Sequence, residues 1–339
     1  MPMDLKAYLL RRLALTLLVL FGVLVITFFL SHVIPADPIG AILGPQAPPE
    51  LVDKIRHEWG FDKPLHEQFV DYIWRVLHGD LGRSIRTNRP VLRDLIDFFP
   101  ATLELATAAL LVGIVIGVPL GTIAALYKDS WIDHLARVFV TIGVSTPVFW
   151  LGLLMLMIFY YWLGWLPGPG RLDPFMTPPP RITGLLLLDS LISGRFDAFW
   201  SGLRHLILPS IVLGWYAAAG IARITRSSVL EVLRQEHVRT ARAKGLREQL
   251  VILRHVLRNA LIPTVTVIGI TYGGLLEGAV LTETIFAWPG LGRYSTGAFL
   301  YLDFLAVMGT ALFVAIIYSV VNLVVDLIYT YLDPRIRYG

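Results

Sequence analysis

Cysteine is missing from the 339 residues, which excludes a disulfide scaffold and any cysteine-ligated metal site. Charged residues are also scarce, since they make up 16% of the chain against about 25% in soluble domains. Hydrophobic residues make up 55%, and the mean hydropathy is +0.66. A single soluble core does not need this much apolar sequence, so the composition predicts a membrane protein with several spans. The net charge of +4 then records where Lys and Arg lie relative to the bilayer and does not indicate nucleic-acid binding.

The motifs of common catalytic and nucleotide-binding sites are missing as well. No glycine is followed by lysine, so the chain lacks a phosphate-binding loop of the GxxxxGK[ST] type. His66 and Glu67 begin an HExxH zinc motif, but Val70 stands where the second histidine is needed. A GxSxG nucleophile motif does not occur, and residues 143–147 (GVSTP) instead predict a kink in a membrane helix. We therefore expect no catalytic residue, metal site or cofactor on this chain.

Six apolar stretches are long enough to cross a bilayer, which takes about 20 helical residues. They cover residues 9–31, 101–127, 135–163, 206–230, 261–281 and 304–331. The first follows basic residues, as a signal peptide does, but it is too long and lacks a small-x-small cleavage site. We therefore interpret it as a retained helix, and the predicted fold is all-α with six transmembrane helices.

Lysine and arginine predict the orientation of these spans. With the N-terminus inside, one side of the membrane holds 16 of the 29 basic residues, nine of them between Arg223 and Arg258. The other side has only four in residues 167–205 and one in residues 282–303. By the positive-inside rule both termini are expected in the cytoplasm. Arg223 and Arg226 are expected to extend their side chains to the inner interface.

Residues 32–100 are too polar for a span, and we expect a small extracytoplasmic helical subdomain there. Leu65, Phe69, Ile73 and Leu77 recur at helical spacing within it. This subdomain is compatible with a docking surface for an extracytoplasmic receptor and with a structural cap over the bundle. The predicted divisions of the chain are 1–31, 32–100, 101–331 and a cytoplasmic tail at 332–339.

Residues 236–263 (EHVRTARAKGLREQLVILRHVLRNALIP) form a basic amphipathic segment between the fourth and fifth spans. One side of its helical pattern carries leucines, at positions 246, 250, 253 and 257, and another side carries arginines. Gly245 interrupts the pattern, because glycine permits a turn at low steric cost. The segment therefore predicts two short helices joined at a bend, which suits docking into a cleft of a soluble partner.

This segment resembles the EAA loop of the membrane subunits of binding-protein-dependent ABC importers, in the dipeptide, oligopeptide and nickel permease family. The general pattern is Glu-Ala-Ala, three residues, Gly, nine residues, and Ile-x-Leu-Pro. Ala241, Gly245 and Leu257 match it, whereas the Glu, Ile and Pro are replaced. The strings RTARAKGL and RNALIP are usual in the peptide-permease branch, and residues 182–214 resemble the dipeptide and glutathione branch more than the oligopeptide branch. The resemblance continues through GDLGRSI (79–85), ATLELA (101–106), LTETIFAWPGLGR (281–293) and DPRIR (333–337), and so covers most of the chain.

The resemblance implies a type-I ABC importer transmembrane domain over residues 101–331, with a cytoplasmic coupling loop at 231–260, in the cytoplasmic membrane of a prokaryote. It implies as partners a second homologous permease subunit, two cytosolic P-loop ATPases that bind ATP and magnesium, an extracytoplasmic solute-binding protein, membrane lipid and a peptide substrate. The residues expected to couple to the ATPases are Glu236, Arg239, Thr240, Ala241, Ala243, Lys244, Gly245, Leu246 and Leu257.

Polar residues within spans provide candidates for the translocation path. An ionisable side chain at mid-bilayer costs roughly 2.5–3.5 kcal/mol, so such groups should face the bundle or a watery path. The candidates are Glu104, Glu277, Asn322 and Asp326. For Glu277 a bond between helices is an alternative to a contact with solute. By resemblance Glu283 and Trp288 belong to the outer mouth of the path, where Glu283 is either structural or meets the receptor.

The expected function is that of a permease subunit that moves dipeptides or short oligopeptides, with ATP hydrolysed on partner subunits. Nickel chelates, glutathione and oligosaccharides remain open as substrates, because relatives of this family carry them. An ATP-independent secondary transporter is a further alternative, but it leaves the basic segment unexplained. A membrane-embedded hydrolase is disfavoured, since the sequence lacks the spacing of a nucleophile and its base.

Overall fold

A computed structural model describes residues 5–33, 48–58 and 62–332. The expected cytoplasmic tail and its DPRIR string therefore lie outside the described residues, apart from Leu332. Within the described ranges the regular elements are helices. They are α1 (Leu5–Val33), α2 (Pro49–Glu58), α3 (Leu65–Leu77), α4 (Val91–Leu126), α5 (Trp131–Ser145), α6 (Val148–Met155, extended by a π-helical turn at Leu156–Trp162), α7 (Leu186–Ile192), α8 (Phe196–Val232), α9 (Glu236–Ala243), α10 (Glu248–Leu250, followed by a π-helical stretch at Val251–Leu257), α11 (Arg258–Gly278), α12 (Val280–Ile285), α13 (Leu291–Leu300) and α14 (Phe304–Leu332).

The predicted membrane spans are present. Five helical stretches are long and apolar enough to cross a bilayer, and they lie in α1, α4, α8, the run from α10 through α11, and α14. The pair α5 and α6 passes the same test together but bends by 101°. The break falls at Thr146, which is extended (φ −82°, ψ 123°), because the residue before a proline is disfavoured in helical conformation. The all-α fold and the six spans are confirmed, with the third span broken at the predicted kink.

Several helices are longer than the hydropathy pattern predicted. The helix of the second span begins at Val91, so the boundary placed at residue 100 falls inside α4. Charged residues make this first part look too polar for a span, but Asp94 among them has partners nearby. Asp94 is fully buried, accepts a hydrogen bond from the Thr87 hydroxyl and pairs with Arg89.

Close packing between α4 and α8 forms the centre of the bundle. Gly113, Gly117 and Gly121 lie four residues apart on α4 and therefore share one face of the helix. A Cβ at Gly117 would come within 2.8 Å of the Ala218 carbonyl oxygen, and one at Gly113 within 2.8 Å of the Ala217 Cβ. Small residues thus let the two backbones approach closely, as in many membrane helix pairs.

The bundle has two distinct ends. At one end, which we call the basic end, α9 and the following turn cover the end of α8. At the other, which we call the opposite end, α12 and α13 pack beside the start of α4 and the start of α14.

Residues 79–90, between α3 and α4, fold back onto the opposite end. The Ser84 hydroxyl donates to Asp303 at 2.5 Å, and the Arg86 guanidinium lies 5.5 Å from the centre of the Tyr294 ring. Leu81 joins Val91 and Leu95 in a buried cluster with residues of α13 and α14. This part of the predicted subdomain therefore packs on the bundle as a cap does.

Candidate functional site

The basic segment turns sharply at Gly245. Helix α9 ends at Ala243, and Gly245 has φ +76°, in the left-handed region that favours glycine. The Gly245 N–H donates to the Arg242 carbonyl at 2.9 Å, which closes the turn. The bend therefore lies where the sequence indicated, but the second helix is not a separate short one. From Glu248 the chain continues through α10 and α11 as one span to Glu277.

A buried cluster fixes this bend to the bundle. Val238 and Ala241 of α9 pack with Val251 and Val256 and with the end of α8. Val238, Val251 and Val256 are fully buried. Leu246 and Leu257 are partly buried against the same cluster. Ala241, one of the expected coupling residues, therefore faces inward and supports the bend without forming its surface.

The outer surface of the bend is polar and basic. The other expected coupling residues are exposed, namely Glu236, Arg239, Thr240, Ala243, Lys244 and Gly245. Arg242 spans the turn and pairs with Glu248 at 2.6 Å. The hydrogen bond to Glu248 raises the pKa of Arg242.

The predicted leucine stripe does not act as one face. Leu246 and Leu257 pack on the buried cluster, whereas Leu250 is 42% and Leu253 is 66% exposed. Two leucines thus remain on the surface beside the arginines. Such a combination of apolar and basic side chains suits contact with another protein.

Below the bend, a buried ion pair joins α5 to α8. Arg226 donates from Nε (2.8 Å) and Nη2 (2.7 Å) to Asp133, which is fully buried. Arg137 lies 3.7 Å from the same carboxylate. The Arg226 guanidinium is held by Asp133, which lies in the first turn of α5. Removing one partner of such a buried pair typically costs about 3–5 kcal/mol.

Glu104 holds the opposite end together. It is buried and accepts two hydrogen bonds from Arg171 (3.0 and 2.6 Å) and one from the Leu187 N–H (2.8 Å). Arg171 also lies 5.6 Å from the centre of the Trp288 ring, and Trp288 Nε1 donates to the Ala101 carbonyl at 2.8 Å. The Glu104 carboxylate therefore has a structural role in holding the connection between α6 and α7, and its part in the translocation path stays a prediction.

Glu283 is a second buried carboxylate at this end. It has no exposed surface and accepts hydrogen bonds from Thr102 (2.6 Å), Gly292 N–H (2.7 Å) and Arg293 N–H (3.1 Å). Burial raises the pKa of Glu283 to about 7, while the hydrogen bonds from Thr102, Arg293 and Gly292 act in the opposite direction. Because its donors come from α4 and from the start of α13, Glu283 ties α12 to both.

Glu277 differs from these two residues. It is exposed at the end of α11 and has no ion pair or hydrogen bond among the described residues. It lines a mostly apolar crevice of about 510 Å³ with Val19 and Val23 of α1 and with Thr310 and Tyr318 of α14. A carboxylate in this position is available to a ligand or to another chain.

The four candidate path residues do not converge. Glu104 and Glu277 lie towards the opposite end, whereas Asn322 and Asp326 lie towards the basic end of α14. Asp326 accepts a hydrogen bond from Arg12 of α1, so this carboxylate joins two helices, and its part in the path stays a prediction. Sequence reasoning missed Asp133 and Arg171, whose partners are distant along the chain.

Two family models match the chain. Residues 117–338 match the binding-protein-dependent transport system inner membrane component, and residues 5–106 match the N-terminal part of such a membrane component.

Curated relatives match over almost the whole chain. The probable D,D-dipeptide transport system permease protein of Escherichia coli (strain K12) is 50% identical over 322 residues, which are 95% of each chain. The dipeptide transport system permease protein of Alkalihalophilus pseudofirmus is 46% identical over 98% of this chain and 99% of its own. The di/tripeptide transport system permease protein of Pseudomonas aeruginosa is 45% identical, with the same coverage of both chains.

The fold is also found among solved structures. A chain of the MetNI methionine ABC transporter, crystallised in inward facing conformations, superposes with a TM-score of 0.50 at 17% identity, over 69% of this chain and 93% of that one. At this identity the likeness concerns the fold alone. The predicted resemblance and fold class are confirmed, and the chain belongs to the family of inner membrane components of binding-protein-dependent transport systems, with the fold of a type-I ABC importer permease.

Proposed function

We propose that this chain is the permease subunit of an ATP-driven importer that moves dipeptides or short oligopeptides across the cytoplasmic membrane of a prokaryote. The relatives named for dipeptide, D,D-dipeptide and di/tripeptide transport support this substrate class, since they match more than nine-tenths of the chain. The observation that carries the proposal is the exposed basic bend at Gly245, which is built on a buried apolar cluster.

This bend is the proposed docking element for a cytosolic ATPase. Its exposed residues from Glu236 to Gly245 form a polar rim, and Leu250 and Leu253 add apolar surface beside it. A firm contact is needed, because a partner shifts a conformational equilibrium only by its different affinity for the two states. Burial of Val238 and Ala241 beneath the rim keeps the bend in one conformation.

The remaining partners and the orientation follow from this role. A second permease subunit would complete the transmembrane path, and two P-loop ATPases would supply ATP and magnesium chemistry. A solute-binding protein would deliver peptide at the opposite end. The basic end then faces the cytoplasm, in agreement with the nine basic residues between Arg223 and Arg258.

Reconstitution in proteoliposomes tests this function. Vesicles are prepared with the whole transporter in the membrane, the ATPase subunits facing the lumen and the solute-binding protein outside. They should accumulate a radiolabelled dipeptide only when ATP is enclosed in the lumen. Unlabelled dipeptides should compete, whereas glutathione and nickel chelates should compete weakly. Uptake by this chain alone, driven by an ion gradient, would contradict the proposal and favour a secondary transporter.

Glu277 is the proposed solute contact in the path. Unlike Glu104 and Glu283, it has no partner among the described residues, and it faces the crevice between α1, α11 and α14. Every unmodified peptide carries an ammonium group, and a hydrogen bond to a charged group contributes about 1.5–3 kcal/mol.

We therefore expect Glu277→Gln to lower the rate of dipeptide uptake about tenfold, which corresponds to about 1.4 kcal/mol. The rate is measured in the same vesicles with the solute-binding protein saturated, so that only passage through the membrane subunits limits it. Glu67→Gln, a change at an exposed position of α3 away from the crevice and the bend, serves as the control and should leave the rate unchanged. Equal rates for Glu277→Gln and wild type would show that Glu277 has no part in passage.

A further inference from the structure

Helix α3 exposes two different surfaces. Phe69, Tyr72 and Val76 face the bundle, where they pack on α1 and α14. Next to them on the helix is a second apolar surface formed by Val70, Trp74 and Leu77, which are 62%, 65% and 75% exposed. These three residues, at i, i+4 and i+7, share one side of the helix. We call them the outer stripe of α3.

The third side of α3 is polar. Glu67, Asp71 and Arg75 follow one another at four-residue spacing and are exposed. Lys63 pairs with Asp71 at 2.6 Å, and Arg75 pairs with Asp80 at 2.8 Å. Helix α3 therefore has a wide apolar arc and a narrow charged edge, as expected for a helix at a boundary between hydrocarbon and water.

Contacts with α1 show the depth at which α3 lies. The membrane-crossing part of α1 is Leu10–Leu30. The Phe69 ring lies 5.0 Å from the Phe28 ring and 6.4 Å from the Phe21 ring, measured between centroids. Phe21 precedes Leu30 by nine residues, or about 13 Å along the helix. Helix α3 therefore lies beside the half of the span that belongs to the opposite end, and not above the membrane.

Helix α1 also exposes apolar side chains at the depth of the outer stripe. Around the middle and the end of its span α1 exposes Leu17, Leu18 and Ile26, at 59%, 65% and 61%. At that depth an exposed apolar side chain faces either lipid or another transmembrane helix, and not water. Because Phe69 of α3 packs against Phe21 and Phe28 of α1, the outer stripe lies at a similar depth. A water-soluble receptor cannot reach it without entering the bilayer.

We propose that α3 is a lipid-binding helix that lies in the plane of the membrane at the opposite end. Acyl chains contact Val70, Trp74 and Leu77, and the charged edge of α3 faces phospholipid headgroups and water. Trp74 fits this boundary, since indole rings prefer the membrane interface. Its ring also lies 4.4 Å from that of His78, which follows the last turn of the helix. Burial of such a helix by roughly 5–10 Å is typical.

Spin labels test this arrangement directly. The chain has no cysteine, so single substitutions can be labelled without a background from this subunit. Val70→Cys, Trp74→Cys and Leu77→Cys are labelled in the assembled transporter, with cysteines of partner subunits replaced. The vesicles contain phosphatidylethanolamine and phosphatidylglycerol. Relaxation of each label by oxygen, which enters hydrocarbon, is compared with relaxation by a water-soluble nickel chelate.

At positions 70, 74 and 77 oxygen should relax the label more strongly than the chelate does. The order should reverse for Glu67→Cys on the charged edge, and Leu18→Cys on α1 provides the lipid-exposed reference. Stronger relaxation by the chelate than by oxygen at the outer stripe would overturn the proposal. If the solute-binding protein then abolished this relaxation by the chelate, the outer stripe would be a receptor site instead. If neither oxygen nor the chelate relaxed these labels in the absence of the solute-binding protein, the proposal would also be overturned, and the outer stripe would contact another subunit.

Discussion

Replacing Gly245 with aspartate is expected to abolish solute uptake while the protein still inserts into the membrane. A Cβ at Gly245 would meet no atom within 4 Å, so the new side chain fits within the subunit itself. The left-handed backbone adds strain of about 1–2 kcal/mol for residues other than glycine. The larger effect is a negative charge on the surface where the ATPase is proposed to dock. A loss of 1.4 kcal/mol in that contact weakens binding about tenfold.

Gly79→Asp provides a matched control for this change. Gly79 has φ +77°, against +76° for Gly245, and a Cβ there also meets nothing within 4 Å. The two variants therefore carry the same strain and the same charge at opposite ends of the protein. Uptake and co-purification with the ATPase should be lost only for Gly245→Asp. Wild-type uptake by Gly245→Asp, or equal losses in both variants, would refute the docking role of the bend.

Replacing Glu283 with alanine should strongly destabilise the protein. The change leaves the Thr102 hydroxyl and the Gly292 N–H without their acceptor in a buried site. Each such orphaned group costs about 1–3 kcal/mol. The link from α12 to α4 and α13 is lost at the same time, so the opposite end should loosen.

The thermal unfolding midpoint of the detergent-purified protein measures this effect. Glu277→Ala, six residues earlier in the chain, is the control, because its exposed carboxylate has no partner among the described residues. We expect the midpoint to fall for Glu283→Ala and to stay near that of wild type for Glu277→Ala. Equal midpoints for both variants would mean that Glu283 does not hold the opposite end together.

The same carboxylate predicts a dependence of stability on pH. The pKa of Glu283 is about 7 in the folded protein, against 4.5 for an ordinary glutamate. Because the pKa of Glu283 is raised on folding, its protonation stabilises the folded protein. This contribution is fully present below pH 4.5 and is lost as the pH rises through 7. The difference in pKa corresponds to about 3 kcal/mol. The unfolding midpoint of wild type should therefore fall between pH 5 and 8 relative to that of Glu283→Gln, which cannot titrate; parallel curves would contradict this.

The spans and the bend follow from local sequence. Long apolar runs determined the helices, and Pro147 marked the break between α5 and α6. Gly245 marked the turn of the basic segment, because only glycine adopts its backbone conformation without strain. These features depend on residues that are neighbours in the chain, so periodicity and turn chemistry were sufficient to predict them.

The ion pairs depend on the tertiary fold and were not predictable in this way. Arg226 and Asp133 are 93 residues apart, and Arg171 and Glu104 are 67 apart. A polar residue within a span indicates only that it needs a partner or water, not which of the two it has. The start of α4 was missed for a related reason: Asp94 reads as a loop residue until its buried partners are known.

The span from Glu248 to Glu277 connects the bend at the basic end to the crevice beside Glu277. Its 30 residues form one continuous helical rod, about 45 Å long at 1.5 Å per residue. Tilting a rod of that length by about 5° displaces its far tip by about 4 Å. On the proposed docking of an ATPase at Gly245, a small tilt of the rod about that end would therefore move Glu277, beside the crevice, by several ångströms.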